Sequence, residues 1–235
     1  KSAVKIIDGD GTVDNPYRIQ GDNDNPTGAL LSARYSGEYV SFGTGENNLY
    51  RIVSHENGTG TKITSAIPLK DSGNYKEMKF GSKVTFSKDN TIGTFLNGDY
   101  LTSGTYLTSD QENMIEDNTT WYLGTVGYGN YKLAKYQDAT SSNLTTSTTT
   151  AKVGLLRLGE LMAGQFDKWI ITTDYWTLTP YSDSYVRSVS YYGSGYYRNG
   201  STYSIGSRPA MNLKSTVKII SGTGTKSDPF VISNW

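Results

Sequence analysis

Residues Tyr175 to Leu213 read YWTLTPYSDSYVRSVSYYGSGYYRNGSTYSIGSRPAMNL, and the rest of the chain is organised around them. An aromatic strand, Tyr175-Trp176, closes at Thr179-Pro180, and an Arg-Pro step, Arg208-Pro209, leads into another apolar strand. Between these anchors the chain is Tyr, Ser, Gly, Asn and Arg, with six tyrosines from Tyr185 to Tyr203 and almost no aliphatic side chain. A core strand would repeat aliphatic residues at period two. Tyrosine instead offers stiff, amphipathic contact area, with Ser, Gly and Asn adapting around it, which is the chemistry of binding loops. The other reading is a solvated hairpin whose alternate tyrosines cover the flank of a sheet. For the binding reading the contact residues are Tyr191, Tyr192, Tyr196, Tyr197, Arg198 and Asn199.

The 235 residues suffice for one large β-rich domain or two small ones. Basic and acidic residues number 22 each and form no basic stripe, which argues against nucleic acid as a partner. Nineteen tyrosines, 26 glycines and long Ser/Thr stretches give the look of a β-rich extracellular module. Cysteine is absent, so disulfides, thiolate metal sites and a cysteine nucleophile are excluded. No apolar run approaches the roughly 18 residues of a membrane span, and no signal peptide is visible, so no membrane insertion of this fragment is expected. Lys1 opens in the middle of a strand-like run, which points to a piece of a longer chain with neighbouring domains.

The two ends repeat each other. Lys1 to Ile19 is KSAVKIIDGDGTVDNPYRI, and Lys214 to Ile232 is KSTVKIISGTGTKSDPFVI. Each has a short strand, a Gly-x-Gly-Thr reversal, then Pro, an aromatic residue and Ile, so each reads as a β-hairpin. Residues 1–20 are expected to form an N-terminal hairpin packed on the module, with Val4, Ile6 and Tyr17 buried. Residues 21–235 form the module itself, which ends in the second copy at 214–232.

Between the ends, Tyr39 to Phe42, Leu49 to Ser54 and Thr61 to Ala66 alternate apolar and polar residues with Gly-containing turns, a meander of antiparallel strands. Ile92, Phe95 and Leu96 at i, i+3, i+4 predict a short helix ended by Asn97-Gly98. Thr108 to Asn118 predicts a second, with Thr108 or Ser109 as cap and Gln111 or Glu112 closing a capping box. A strand is expected from Trp121 to Val126. Asp138 to Thr150 reads as a mobile Ser/Thr loop. A third helix is expected to begin near Leu156, with Leu158, Leu161 and Met162 inward and Gly164 at its end.

Little in the chain suggests catalysis. The only histidine, His55, reads as a surface turn residue without a nucleophile elbow beside it. Asp and Glu are scattered, and a carboxylate pair would depend on spacing that sequence does not reveal. The glycine pairs precede strands, so they are turns and no phosphate cradle. Asp22 to Asp24 offers oxygen ligands for calcium but lacks the loop length and terminal Glu of a calcium loop, and an Asx-rich turn is the other reading. The chain is therefore read as non-enzymatic, with no catalytic residue, resident metal or cofactor assigned.

The blocks DNTIGTFLNGDYL, TSDQENMIED, GLLRLGELMAG, YWTLTP and GSRPAMNLKSTVKIISGTGTKSDPF occur in an order that resembles surface modules of Gram-positive bacteria. Those modules are similar to the C-type-lectin-like fold, in the branch shared with formylglycine-generating enzymes and the variable proteins of diversity-generating retroelements. The resemblance implies that Tyr175 to Pro180 begins the last strands, Val186 to Ser204 is the variable stretch, and Gly206 to Leu213 leads into the closing strand. The copper-binding cysteines of formylglycine-generating enzymes are absent, as are the tripeptides of calcium-dependent sugar binding. Neither activity carries over.

The fold expected is α+β and C-type-lectin-like: a twisted, mainly antiparallel sheet, three short helices, β-hairpins at both termini and terminal strands near one another. Trp121, Trp169 and Trp176 should be buried, and Arg208 should clamp backbone carbonyls or a carboxylate. Two functions remain open. One is a secreted or cell-surface adhesion module that binds a host or bacterial surface protein or glycan through segment 185–204. The other is a structural spacer in a surface or pilus-like array with no ligand of its own.

Overall fold

The computed structural model describes residues 5–12, 18–20, 26–55, 60–123, 125–127, 130–132, 147–163 and 173–234; at 5–8, 18–20, 125–127, 130–132 and 162–163 only the backbone is described. The order begins with a hairpin, β1 (Lys5–Asp8) and β2 (Arg18–Gln20), then β3 (Tyr39–Ser41), β4 (Leu49–His55), β5 (Thr61–Ser65), β6 (Lys70–Asp71) and β7 (Asn74–Tyr75). Three short helices follow, α1 (Thr91–Leu96), α2 (Asp99–Thr102) and α3 (Ser109–Met114), then β8 (Thr119–Tyr122), β9 (Thr125–Gly127), β10 (Asn130–Lys132), β11 (Thr148–Ala151) and β12 (Val153–Leu155). After α4 (Leu158–Ala163) come β13 (Tyr175–Ser182), β14 (Tyr185–Val189), β15 (Gly195–Asn199), β16 (Pro209–Asn212), β17 (Lys218–Ser221) and β18 (Phe230–Ser233). The architecture is sheet-rich α+β, with few and short helices.

Seven strands form the main sheet in the order β12-β16-β5-β4-β3-β18-β17. All its pairs are antiparallel except β18 beside β3. Register aligns Val153, Met211, Ile63 and Ile52 across four neighbouring strands, and Tyr50, Val40 and Phe230 across the next. All are buried, which places the core on that face. There Tyr50 and Tyr100 of α2 share a buried hydroxyl–hydroxyl bond of 2.6 Å. Burial raises the pKa of both phenols above the ordinary range.

The opposite face is also covered. Trp121 lies over Gly154, where a Cβ would meet its ring at 2.7 Å. Lys62 lies beneath the same ring and pairs with Glu160 of α4 at 3.0 Å. Burial pushes the Glu160 pKa up, but Lys62 and Arg157 outweigh it and hold the carboxyl below the usual range. Cover on both faces explains why β5 is buried along its whole length although its sequence alternates.

Local sequence dictates the helices. Asn90 caps α1 by accepting Gly93 N–H at 2.9 Å, and Ile92 and Leu96 are buried. The α3 capping box forms as the sequence predicts, Gln111 N–H to Thr108 Oγ1 at 3.2 Å and Thr108 N–H to Gln111 Oε1 at 2.9 Å. Trp121 and Trp176 are buried, and Arg208 donates through Nε to the Ser65 carbonyl at 2.8 Å. Trp169, Val4, Tyr17 and the Asp22–Asp24 turn lie outside the described residues.

Several expectations change. Four α-helices are present among the described residues, because Asp99–Thr102 adds a turn after α1. The third expected helix starts at Leu158, since Val153–Leu155 is drawn into the main sheet by β16. The expected Ser/Thr loop ends in a strand: Thr148–Ala151 pairs with β8, where β-branched threonines suit a pleated surface. His55 is half-buried, with Nε2 at 2.6 Å from the Arg34 carbonyl and Nδ1 at 3.1 Å from Thr61 Oγ1.

The terminal repeat is kept in three dimensions. Lys5 pairs with Gln20 and Ile6 with Ile19, a register shift follows, and Asp8 pairs with Arg18. Lys218 pairs with Ser233 and Ile219 with Ile232, the same shift follows, and Ser221 pairs with Val231. Gly9 and Gly11 hold φ of 89° and 83°, and Gly222 and Gly224 hold 90° and 75°. The second copy is built into the main sheet. Its β18 lies beside β3, and β17 takes residues 28–31 on its outer side through Gly28 N–H to Ile219 O at 2.7 Å and Leu31 N–H to Val217 O at 2.9 Å.

Candidate functional site: a tyrosine and arginine face

The quoted stretch folds into a three-stranded antiparallel sheet, β13-β14-β15. Its inner side is apolar. Trp176, Leu178 and Val186 are buried, and Trp176 Nε1–H donates to the Met78 carbonyl at 2.8 Å. β14 lies between two strands, whereas β15 is an edge and carries its tyrosines into solvent.

Of the residues singled out from sequence, Tyr191, Tyr192, Tyr196 and Tyr197 are 45, 60, 43 and 38% exposed. Tyr191 and Tyr192 occupy the β14–β15 turn with ring centroids 3.9 Å apart. A hydrogen bond with Tyr192 raises the Tyr191 pKa. Tyr197 stacks on Tyr196 at 5.2 Å and on Tyr181 at 4.2 Å, and Tyr185 meets it edge-on at 5.6 Å. Arg187, opposite Tyr197 in the register, covers the Tyr181 ring at 4.3 Å.

Arg198 is held from beneath. Its Nη2 and Nε donate to Asp174 Oδ2 at 2.7 and 3.1 Å, and its guanidinium lies over Tyr196 at 4.5 Å and Tyr203 at 5.3 Å. Partial burial lowers its pKa, but Asp174 and Tyr196 more than reverse this and hold it above the ordinary arginine value. Asp174 Oδ1 also accepts Tyr191 N–H at 3.1 Å, so one buried carboxylate fixes both the turn and the arginine. Asn199 serves the turn after β15: its Oδ1 accepts Ser201 N–H at 3.1 Å, Ser201 Oγ–H at 2.9 Å and Thr202 Oγ1–H at 3.1 Å.

Sequence reading missed Tyr181, Arg187 and Asp174. The first two follow from strand register once β14 is known to be central. The last had a visible signal: it stands directly before the aromatic strand, the nearest acid on that side of a segment rich in arginine and tyrosine.

The arrangement suits contact with planar, amphipathic or polar groups. Pre-stacked rings lose little conformational freedom when they touch a ligand, and the guanidiniums add donors. Among the described residues, no three His, Asp or Glu side chains are grouped to hold a metal ion, and no helix is long and apolar enough to cross a membrane. Comparisons with protein-family models, curated proteins and solved structures found no match.

Proposed function

We propose that this chain is a ligand-binding, adhesion-type module of a secreted or cell-surface bacterial protein, with the β13–β15 sheet as its contact face. One observation carries the reading. Tyr191, Tyr192, Tyr196 and Tyr197 stay exposed although each has apolar ring area to bury, and they are fixed by mutual stacking and by the Arg198–Asp174 pair. Aromatic residues and arginine dominate contact hot spots. The C-type-lectin-like architecture belongs to the same proposal, and the pairing of residues 28–31 with β17 supports it by bringing early and late strands together. The ligand class is a surface protein or a glycan, without a metal or cofactor.

A glycan and peptide array tests this, with the triple variant Tyr191→Ala, Tyr196→Ala, Tyr197→Ala as control. Signal that the triple variant loses supports the reading, and equal signal from both proteins refutes it. The spacer reading is favoured by a different observation, the terminal hairpins with identical register, which suit modules joined in series.

A further inference from the structure

Among the described residues, no strand pairs with the outer side of β15. Gly200 N–H donates to Ser184 O at 3.1 Å, and Ser190 N–H donates to Ser194 O at 2.9 Å. In an alternating antiparallel ladder, this places the main-chain groups of Tyr196 and Arg198 toward β14 and turns those of Gly195, Tyr197 and Asn199 outward. Gly195, Tyr196 and Tyr197 are exposed. Among the described residues, only the Asn199 carbonyl of this outward set takes backbone bonds, from Tyr203 N–H at 3.1 Å and Thr202 N–H at 3.4 Å.

Open edges are ordinarily defended by lysine, proline, a bulge or an inward charge. β15 reads Gly-Tyr-Tyr-Arg-Asn and runs in unbroken register with β14. Its only charge, Arg198, is already neutralised by Asp174 at 2.7 Å. Among the described residues, the edge from Gly195 to Tyr197 is thus unpaired and aromatic.

We infer that β15 is a homotypic docking strand that pairs antiparallel with β15 of a second copy of this chain, about a twofold axis at Tyr197. In that register Tyr197 faces Tyr197 of the second copy and the two exchange N–H···O bonds across the axis, while the Asn199 N–H of each copy donates to the Gly195 carbonyl of the other; the Asn199 carbonyl stays with its own turn. In the same register, Tyr196 of each copy lies across from Arg198 of the other. Arg198 already makes this contact with Tyr196 within one chain, at 4.5 Å. A twofold interface demands a segment that complements itself. Tyr-Tyr-Arg does so about its middle, with aromatic and cation–π pairs opposite one another and no like charges opposed. This pairing uses the main-chain edge, so a blank ligand array would leave it intact.

The chain contains no cysteine, so one introduced thiol reports on one position. Facing Cα atoms of a hydrogen-bonded pair lie about 5.5 Å apart, within disulfide reach. Tyr197→Cys should therefore cross-link under mild oxidation, at least about tenfold faster than Ser201→Cys in the neighbouring exposed turn, which sets the collisional rate. Gly195→Cys faces Asn199 and should stay at that collisional rate.

Sedimentation of the unaltered chain should show a concentration-dependent monomer–dimer equilibrium. Tyr197→Lys sets two like charges opposite each other and should raise the dissociation constant about tenfold or more, with an unchanged far-ultraviolet spectrum as the check on folding. A chain that remains monomeric at its highest soluble concentration overturns the inference. So does a Tyr197→Cys rate no greater than that of Ser201→Cys or Gly195→Cys.

Discussion

Replacing Asp174 with Asn should loosen the tyrosine face while leaving the main sheet folded. The carboxylate binds Arg198 through two nitrogens and the Tyr191 N–H through its second oxygen. Its own carbonyl, which accepts Gly206 N–H at 2.9 Å, is untouched by the change. Hydrogen bonds to charged groups contribute about 1.5–3 kcal/mol. The Arg198 side chain is 28% exposed, so solvent screening brings the expected loss to about 1–2 kcal/mol. For a chain of this size each kcal/mol moves the unfolding midpoint by about 2–4 °C, which gives a fall of about 2–8 °C by calorimetry. Amide exchange supplies the local reading: Tyr191 N–H should exchange faster, while amides of β5 and β16 keep their protection. A double-mutant cycle with Arg198→Ala isolates the pair. A coupling below about 0.3 kcal/mol, or an unchanged Tyr191 exchange rate, would refute the claim that Asp174 organises the face.

Tyr50→Phe strands the buried Tyr100 hydroxyl and should cost about 1–3 kcal/mol, while Tyr50→Phe with Tyr100→Phe should lie closer to the parent in calorimetry than either single change. Glu160 has a lowered folded-state pKa, so its stabilisation is complete above its ordinary value of 4.5 and is lost as pH falls through the folded-state value. Glu160→Gln should therefore flatten the acid limb of midpoint against pH, and an unchanged limb would count against the Lys62–Glu160–Arg157 cluster. Gly154→Ala drives a methyl into the Trp121 ring and should cost about 1–3 kcal/mol, with a shift in tryptophan emission.

The features legible in the sequence are those decided within a few residues. The α3 cap needs only Thr108 and Gln111, and the α1 helix needs only the spacing of Ile92, Phe95 and Leu96 with Asn90 before them. The hairpin repeat was visible because both copies spell out the same turn. What escaped depends on distant partners. Val153–Leu155 is a strand because Pro209–Met211 lies beside it, and Thr148–Ala151 is one because Thr119–Tyr122 does. Lys62 looks like an outward residue of an alternating strand, yet Glu160 and Trp121 enclose it. At the candidate site the tyrosines were apparent from composition. Their stacking, the place of Arg187 and the anchoring by Asp174 required the strand register, which no local pattern encodes.

The placement of residues 28–31 and β18 on either side of β17 has a mechanical consequence. Both run antiparallel to β17 and hence parallel to each other. Tension pulling residue 28 and residue 233 apart therefore acts along the strands, in opposite directions on the two flanks of β17. The ladders are then loaded in shear, and their bonds must yield together instead of opening one after another as a zipper does. Beyond β18, the parallel β3 adds a further ladder that the same pull must break. Stretched between these two points, the module would resist extension through its edge long before the tyrosine sheet, which lies outside this line of force, felt any strain.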